Sequence, residues 1–517
     1  MSLERASSVQ TTWLIMAGLA LLVIATRMAG FPPETMWLDE IFSAVFAVQP
    51  IIDTVIAVLR FDLHPPLYYI QLNMWALVSH SETWLFANSL FWVAVASMSV
   101  YWVAKRLFSE PIAITAALLF ILLPSVAYYS LQMRPHVMLS CIAIWVFYFN
   151  HIFPKKAPAW RLLILMAMAE LVLIYSHAIG IFMVGFPIIY GFICLFEGTR
   201  EHIKRWFIAH ILVGLAAIPV LLNSLVRSVG HTKEPGLAEV SELLALLIGG
   251  RPLVELPGEI GKVIGVAFFI LLAILAFRVK TARLMVFIVV LLPLAMAIVV
   301  SHTIRPIWLN RIFVFMTPIL CMGISVVVWH TFQKNRTRLI AVASLGFFMA
   351  IASFINMQNP HRPQNYREVS SYLVANMQPG DRVYMLEFMD FWAMGWYLKG
   401  PDWGSPLKTQ SPVAAGRWSD ILERIGPVWQ ERFRLVPEKH SMVHNGSTFL
   451  MGPAPIKDIV HDGPIWVVFH RSIPAVATSI TVLKELTEHG FEERHRATVG
   501  GLSVRLLTPS AQTASTK

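Results

Sequence analysis

The chain has 517 residues, of which 56% are hydrophobic and 14% charged. A soluble globular protein carries about 25% charged residues, and the mean hydropathy here is +0.62. These figures exclude an ordinary cytosolic enzyme and a disordered chain, and leave an integral membrane protein. The formal net charge of +10 fits Lys and Arg in cytoplasmic loops. It does not point to nucleic acid, because the polar segment has no basic patch with interleaved aromatics. Cys141, Cys194 and Cys321 all lie in apolar runs and read as core residues, not as disulfides or zinc ligands.

A membrane-spanning helix needs roughly 20 apolar residues. Eleven runs qualify, at about 12–30, 84–104, 111–131, 136–153, 160–178, 180–197, 205–225, 260–277, 284–301, 309–332 and 338–357. The first lacks a small-residue cleavage site, so it is expected to be a retained helix. Lys105 and Arg106, Lys155, Lys156 and Arg161, Arg200, Lys204 and Arg205, Arg278, Lys280 and Arg283, and Lys334, Arg336 and Arg338 fill every second loop. The positive-inside rule then predicts a cytoplasmic N-terminus and a C-terminus outside.

Three outer pieces are large: residues 31–83, 226–259 and 358–517. The second carries a short apolar stretch, Leu243–Ile248. The third opens on Pro360 and Pro363, and Tyr366–Met377 reads as a helix. Pro379-Gly380-Asp381 reads as a turn. Strand-like runs follow at Val383–Glu387, Ile465–Phe469 and Leu502–Leu507, with a helical run at Thr481–His489. A small α/β domain is predicted, ending in a disordered tail from Pro509 to Lys517.

The first outer loop opens with Met36-Trp37-Leu38-Asp39-Glu40. A carboxylate there can act as a general base or bind a cation; it can equally cap a helix over Ile41–Val48. Next comes Asp62-Leu63-His64-Pro65-Pro66-Leu67-Tyr68-Tyr69. Pro65 drives His64 out of helical geometry, and the prolines launch a helix over Leu67–Leu77. His64 then sits at a bend near a helix N-terminus, a place that suits an anion or a catalytic group.

Tyr128-Tyr129-Ser130-Leu131-Gln132-Met133-Arg134-Pro135-His136 forms a short outer turn. Arg134 there can hold a lipid phosphate or snorkel toward headgroups. Tyr175-Ser176-His177 closes the fifth run, and Arg305 and Arg311 flank the start of the tenth. All five features fall on one predicted side of the membrane. Glu170, inside the fifth run, must face the bundle and find a partner. Trp392, Trp396, Trp403, Trp418 and Trp429 in the outer domain are either sugar-stacking or membrane-interface surfaces, or the domain's core. Asn445-Gly446-Ser447 matches a glycosylation sequon, a tripeptide common by chance.

The ordered set Trp37-Leu38-Asp39-Glu40, His64–Tyr69, Tyr129-Ser130 with Arg134, Tyr175-Ser176-His177 and Leu309-Asn310-Arg311-Ile312 resembles a known family. It is similar to the bacterial polytopic glycosyltransferases of the GT-C fold, relatives of the protein O-mannosyltransferases and of the lipid A aminoarabinose transferase. Asn365-Tyr366-Arg367 with Pro379-Gly380-Asp381 resembles that family's C-terminal segment. Pro135-His136 and Ile312 depart from the aromatic residues the family often has after its two Arg positions.

The resemblance implies an α-helical polytopic membrane protein with about eleven spans and a C-terminal periplasmic α/β domain. The membrane glycosyltransferase domain would cover 1–357, with its catalytic first outer loop at 31–83; the soluble domain would cover 358–517. The implied reaction moves a sugar from a polyprenyl-phosphate donor to a periplasmic-side acceptor, which is lipid A, another glycan, a lipid or a protein. Asp39 is then the candidate base, with Glu40 supporting it. His64, Tyr69, Arg134, His177 and Arg311 are candidates for holding the lipid phosphate and sugar. A divalent metal cation is a candidate cofactor, with Glu40, His64 and His177 as its candidate ligands. The bacterial inner membrane is the implied location. A lipid-linked sugar flippase or transporter, and a polysaccharide ligase, are the alternatives.

Overall fold

The computed structural model describes residues 2–62, 64–153, 160–196, 200–226, 232, 234–358, 362–401, 441–452, 456–470 and 473–510. The chain divides into two compact units. One comprises Met1–Pro32, Phe61–Gln71 and Ser81–Pro360; the other comprises Pro33–Arg60, Leu72–His80 and His361–Lys517.

The first unit is helical. Each of the eleven apolar runs overlaps one or more helices. Seven described helices are long and apolar enough to cross a membrane, and an eighth span results if one bent pair is counted together. The other three runs form shorter helices, His136–Ile152 and Trp160–Ser176 of 17 residues each and Ile181–Phe196 of 16 residues. Asn310–Thr331 is the central span, with 89% of its apolar window buried, against 28% for Lys204–Ser224, Pro257–Phe277 and Asn335–Gln358. Outward Leu212, Leu271 and Phe347 remain exposed, which is what a lipid-facing surface requires.

The bent pair is Glu110–Leu122 and Pro124–Ser130, which meet at 57°. Pro124 cannot donate to the helical ladder, and it frees carbonyls in the preceding turn. A membrane interior offers no water to satisfy them, so neighbouring side chains must. Arg27 Nη2 donates to the Ile121 carbonyl at 2.6 Å, and Ser353 Oγ donates to that of Leu122 at 2.6 Å. Asn356 Nδ2 reaches the Pro124 carbonyl at 3.2 Å. Glu170 also finds partners: Asn150 Nδ2 lies 2.7 Å and His210 Nε2 3.0 Å from its Oε1. Cys141 and Cys321 are buried free thiols.

The second unit holds a six-stranded mixed sheet: β1 (Arg382–Met385), β2 (Ser441–His444), β3 (Ser447–Met451), β4 (Ile465–His470), β5 (Phe491–Val499) and β6 (Leu502–Pro509). The order is β2-β3-β1-β4-β6-β5. β1 runs parallel to both β3 and β4, with Met385 opposite Val468, and the other pairings are antiparallel. Three of these strands match the expected apolar runs. The remaining three come in through hairpins. Asn445 and Gly446 at φ 50° and 78°, and Gly500 and Gly501 at φ 53° and 81°, make two-residue turns of the positive-φ type that suits a twisted hairpin. The sequon thus supplies the turn of the β2–β3 hairpin, Asn445-Gly446, and the first residue of β3, Ser447.

Tyr384, Ile465, Val467, Phe469 and Leu507 pack with Leu486 of the helix Ile473–Glu488. Each such side chain contributes roughly 1.5–3 kcal/mol by burial. Trp392 and Trp396 are buried, so they are core and not a stacking surface. Trp403, Trp418, Trp429 and the basic pair Lys155 and Lys156 lie outside the described residues, as does the expected tail from residue 511 onward. Pro509, expected in that tail, instead closes β6, and the Ser510 amide donates to the Gly490 carbonyl at 2.7 Å.

Residues 31–83, the expected first outer loop, are more helical than their sequence predicts. Leu38–Ala47 and Leu67–Ala76 match the two expected helices, and Ile51–Phe61 adds a third between them. The expected second outer piece, residues 226–259, contains the helix Leu237–Val254 around its apolar stretch.

Candidate active site

In the first unit, the His-Pro-Pro motif builds a polar chain. Pro66 launches the helix Leu67–Ala76: the Ile70 amide donates to its carbonyl at 2.9 Å. Asp62, just before the motif, folds back on it. Asp62 Oδ1 accepts from the His64 amide at 3.1 Å, an Asx-type turn. The same oxygen lies 2.6 Å from His64 Nδ1. Tyr69 donates its hydroxyl to Asp62 Oδ2. Arg134 Nη1 then donates to the Tyr69 hydroxyl oxygen at 3.4 Å.

Arg134 is 6% exposed. It is therefore no snorkelling residue, and the chain from His64 through Asp62 and Tyr69 ends on a buried guanidinium. Burial by itself would raise the Asp62 carboxyl; His64, Arg134 and the Tyr69 hydroxyl outweigh it and hold the group well below the usual carboxylate range. Burial and the Asp62 charge push the Tyr69 phenol well above its ordinary value. Asp62 is thus an anion and Tyr69 a neutral donor at physiological pH.

His177 lies against the same motif. Its ring meets that of His64 edge-on, with centroids 4.4 Å apart and planes at 85°. His177 Nδ1 accepts from the Ile179 amide at 3.2 Å, which leaves the neutral ring its proton on Nε2. The Asp62 bond has the opposite effect on His64: it calls for a proton on Nδ1 and leaves Nε2 as the second nitrogen. The two imidazoles therefore offer different chemistry side by side, one a donor and one an acceptor when neutral.

Both histidines line a cavity of about 280 Å³ whose walls are mostly apolar, among them Phe182, Leu221 and Val300. Arg305 and Arg311 line the same cavity. Arg311 is half-buried on the short helix Asn310–Met316. An apolar chamber with two guanidiniums and two imidazoles is complementary to a lipid that ends in an anion.

Asp39 and Glu40 belong to the second unit. Asp39 is half-buried in the first turn of the helix Leu38–Ala47, where a carboxylate is favoured by the helix dipole. Glu40 is fully buried. Its Oε2 accepts from the Trp37 amide at 3.1 Å, a reciprocal cap from the third helical position, and pairs with Arg362 Nη1. Arg362 Nη1 also donates to the Thr35 carbonyl at 2.8 Å. The Met36 amide donates to the Tyr397 hydroxyl at 2.8 Å, and Arg367 Nε donates to the Glu34 carbonyl at 3.0 Å. The Trp-Leu-Asp-Glu segment is thus pinned by residues more than 300 positions away in the chain, with Arg362 and Glu40 separated by 322.

The structure brings together His64, Tyr69, Arg134 and His177 in one unit and places Arg311 on the cavity that the two histidines share. It places Glu40 in the other unit, on an arginine. Sequence reasoning passed over Asp62 and Arg362. Asp62 was signalled by its place two residues before His-Pro; no local signal marks Arg362.

Residues 63–224 match the family described as dolichyl-phosphate-mannose-protein mannosyltransferase. That segment contains His64, Tyr69, Arg134 and His177. No curated protein matches the chain significantly in sequence. Among solved structures, ArnT from Cupriavidus metallidurans in the apo state aligns at 12% identity and a TM-score of 0.55, covering 96% of this chain and 98% of that one. The same protein bound to undecaprenyl phosphate aligns at 12% identity and a TM-score of 0.56, covering 97% and 99%. At that identity the likeness is one of fold, and it extends over nearly the whole of both chains.

Proposed function

We propose that this chain is a membrane glycosyltransferase of the GT-C fold that moves a sugar from a polyprenyl-phosphate donor to an acceptor on the periplasmic face of a bacterial inner membrane; the family that residues 63–224 match and the ArnT-like fold support this. The observation that carries the reading is the apolar cavity of about 280 Å³ with His64, His177, Arg305 and Arg311 on its walls. The solved ArnT structure with undecaprenyl phosphate supports a donor of that kind.

In this reading the acceptor oxygen attacks the anomeric carbon, and the bond from that carbon to the phosphate oxygen breaks. The lipid phosphate leaves with the electron pair. Asp39, the base that the sequence resemblance implies, takes the acceptor's proton as attack proceeds. Arg134, Arg311 and the two histidines stabilise the charge that develops on the phosphate. Asp62 and Tyr69 hold His64 and Arg134 in place. Glu40 is a positioning residue: paired with Arg362, it fixes the helix start that presents Asp39. A metal shared by Glu40, His64 and His177 is not part of this reading, because the cation already on Glu40 is Arg362. The membrane part, 1–357, would start in the cytoplasm, and the soluble part, 358–517, would lie in the periplasm.

The test is donor consumption. The detergent-purified protein is given a panel of polyprenyl-phosphate sugars with a membrane glycolipid extract as acceptor. Free polyprenyl phosphate is expected with one donor, and its release should vanish in Asp39→Asn while the melting temperature holds. Failure of every donor with folded protein would overturn the reading in favour of a flippase, to be followed by transbilayer movement in vesicles.

A further inference from the structure

We propose that the second unit holds a divalent transition-metal ion, of which zinc is the type, at Glu387, Asp390 and His470. One ligand atom from each of these three residues lies within 4.8 Å of the others. None of them takes part in the transfer chemistry proposed above.

The fold converges on the place from two directions. β1 ends at Met385, and Glu387 immediately precedes the helix Phe388–Lys399, with Asp390 in its first turn. Three residues apart on a helix start, the two carboxylates share a face. His470 is the last residue of β4, the parallel neighbour of β1. The three side chains therefore meet at the carboxyl ends of adjacent parallel strands, where open α/β sheets bind their ligands.

The hydrogen bonds present leave the cluster incomplete. Tyr366 donates to Asp390 Oδ1 at 2.7 Å, and its hydroxyl lies 2.7 Å from His470 Nε2. His470 Nε2 lies 2.5 Å from the same Oδ1. All of this serves one carboxylate oxygen. The other, Oδ2, is buried with no hydrogen-bond partner, on a residue that is fully buried. Leaving a buried carboxylate oxygen unsatisfied is costly, and a cation satisfies it. The charges acting on Glu387 are the like charge of Asp390 and the opposing His470, so two carboxylates face a single titratable cation. A divalent ion neutralises both.

Gln364 completes the set. Its side-chain nitrogen lies 3.3 Å from His470 Nδ1, while its Oε1 is buried without a partner. Turned over, the amide accepts the Nδ1 proton with that oxygen and leaves Nε2 free for a metal. Ligating histidines are usually held in this way. One imidazole and two carboxylates form a donor set suited to zinc or a similar first-row ion.

The experiment uses the full chain in detergent, stripped with a chelator and then exposed to zinc. Bound metal is counted by elemental analysis, and thermal unfolding is followed with and without the ion. Wild type should bind one equivalent more than His470→Ala or Glu387→Gln and should melt at a higher temperature with zinc. Tyr366→Phe, which removes a hydrogen bond but no ligand, should keep the equivalent. Equal metal content in wild type and both ligand variants, with no response of melting to chelator, would overturn the proposal and leave a hydrogen-bond network. Should His470→Ala fail to fold, the half-buried Glu387→Gln decides. The readout is metal content, so it stands apart from whether sugar transfer is observed.

Discussion

His64 Nδ1 and Asp62 Oδ1 lie 2.6 Å apart, and the other oxygen of that carboxylate takes the Tyr69 hydroxyl. One side chain thus sets the protonation and orientation of a cavity-lining imidazole. It also anchors the tyrosine that supports Arg134. Asp62 lines no part of the cavity itself and acts through its neighbours.

Asp62→Asn should therefore lower activity while leaving the protein folded. Loss of a hydrogen bond to a charged group costs about 1.5–3 kcal/mol, so a fall of roughly 10–150-fold in activity is expected. The amide cannot accept from both His64 and Tyr69 as a carboxylate does, so stability should fall by about 1–3 kcal/mol. Steady-state kinetics with donor varied, together with thermal unfolding, check this. Full activity in the variant would remove Asp62 from the site.

The same carboxylate predicts a pH dependence with a definite sign. Its folded-state pKa lies below the unfolded value of about 3.9. Its contribution to stability is then complete above the unfolded value and is lost as pH falls through the folded one. The gap in melting temperature between wild type and Asp62→Asn should stay level from neutral pH to about 5 and close only below about 4. Closure between neutrality and pH 5 would contradict the pairing.

Arg134 and Arg311 should matter through donor affinity. Loss of a hydrogen bond to a charged group costs about 1.5–3 kcal/mol, which is roughly a 10–150-fold rise in the donor's KM or Kd. Arg311→Ala should show this with melting unchanged, since the residue is half-buried on a cavity wall. Arg134→Lys should recover part of the charge but not the fork geometry. Titration with undecaprenyl phosphate measures both. Unchanged affinity in Arg311→Ala would place the phosphate elsewhere.

Arg362→Ala strands a buried carboxylate. Removing one partner of a buried ion pair costs about 3–5 kcal/mol, and Glu40 is fully buried. A large drop in melting temperature is expected, with Glu40→Gln and Arg362→Met together costing less than Arg362→Ala alone. A double-mutant cycle followed by thermal unfolding tests it. Additive effects would mean that the two residues act separately.

What the chain determines locally is its hydrophobic pattern, its breaks and its turns. Transfer of apolar residues to lipid and the period of a helix are properties of a window of about 20 residues. That is why the eleven runs, the helix after Pro66 and three of the six strands could be read in order. The Asn445-Gly446 and Gly500-Gly501 turns were passed over, although two-residue signals of that kind between short strands mark hairpins. The His64-Pro65-Pro66 pattern also marked the bend beside which Asp62 and Tyr69 pair.

The tertiary structure decided the pairings. Arg134 meets Tyr69 across 65 residues and Tyr366 meets His470 across 104; no window contains both members of either pair. Whether Arg134 is a surface anchor or a buried cation depends on the helices packed around it, not on its neighbours in sequence. The same holds for Glu40, whose partner Arg362 lies 322 residues away. Charged side chains leave water only where the fold supplies a partner, and partners are chosen by packing in three dimensions.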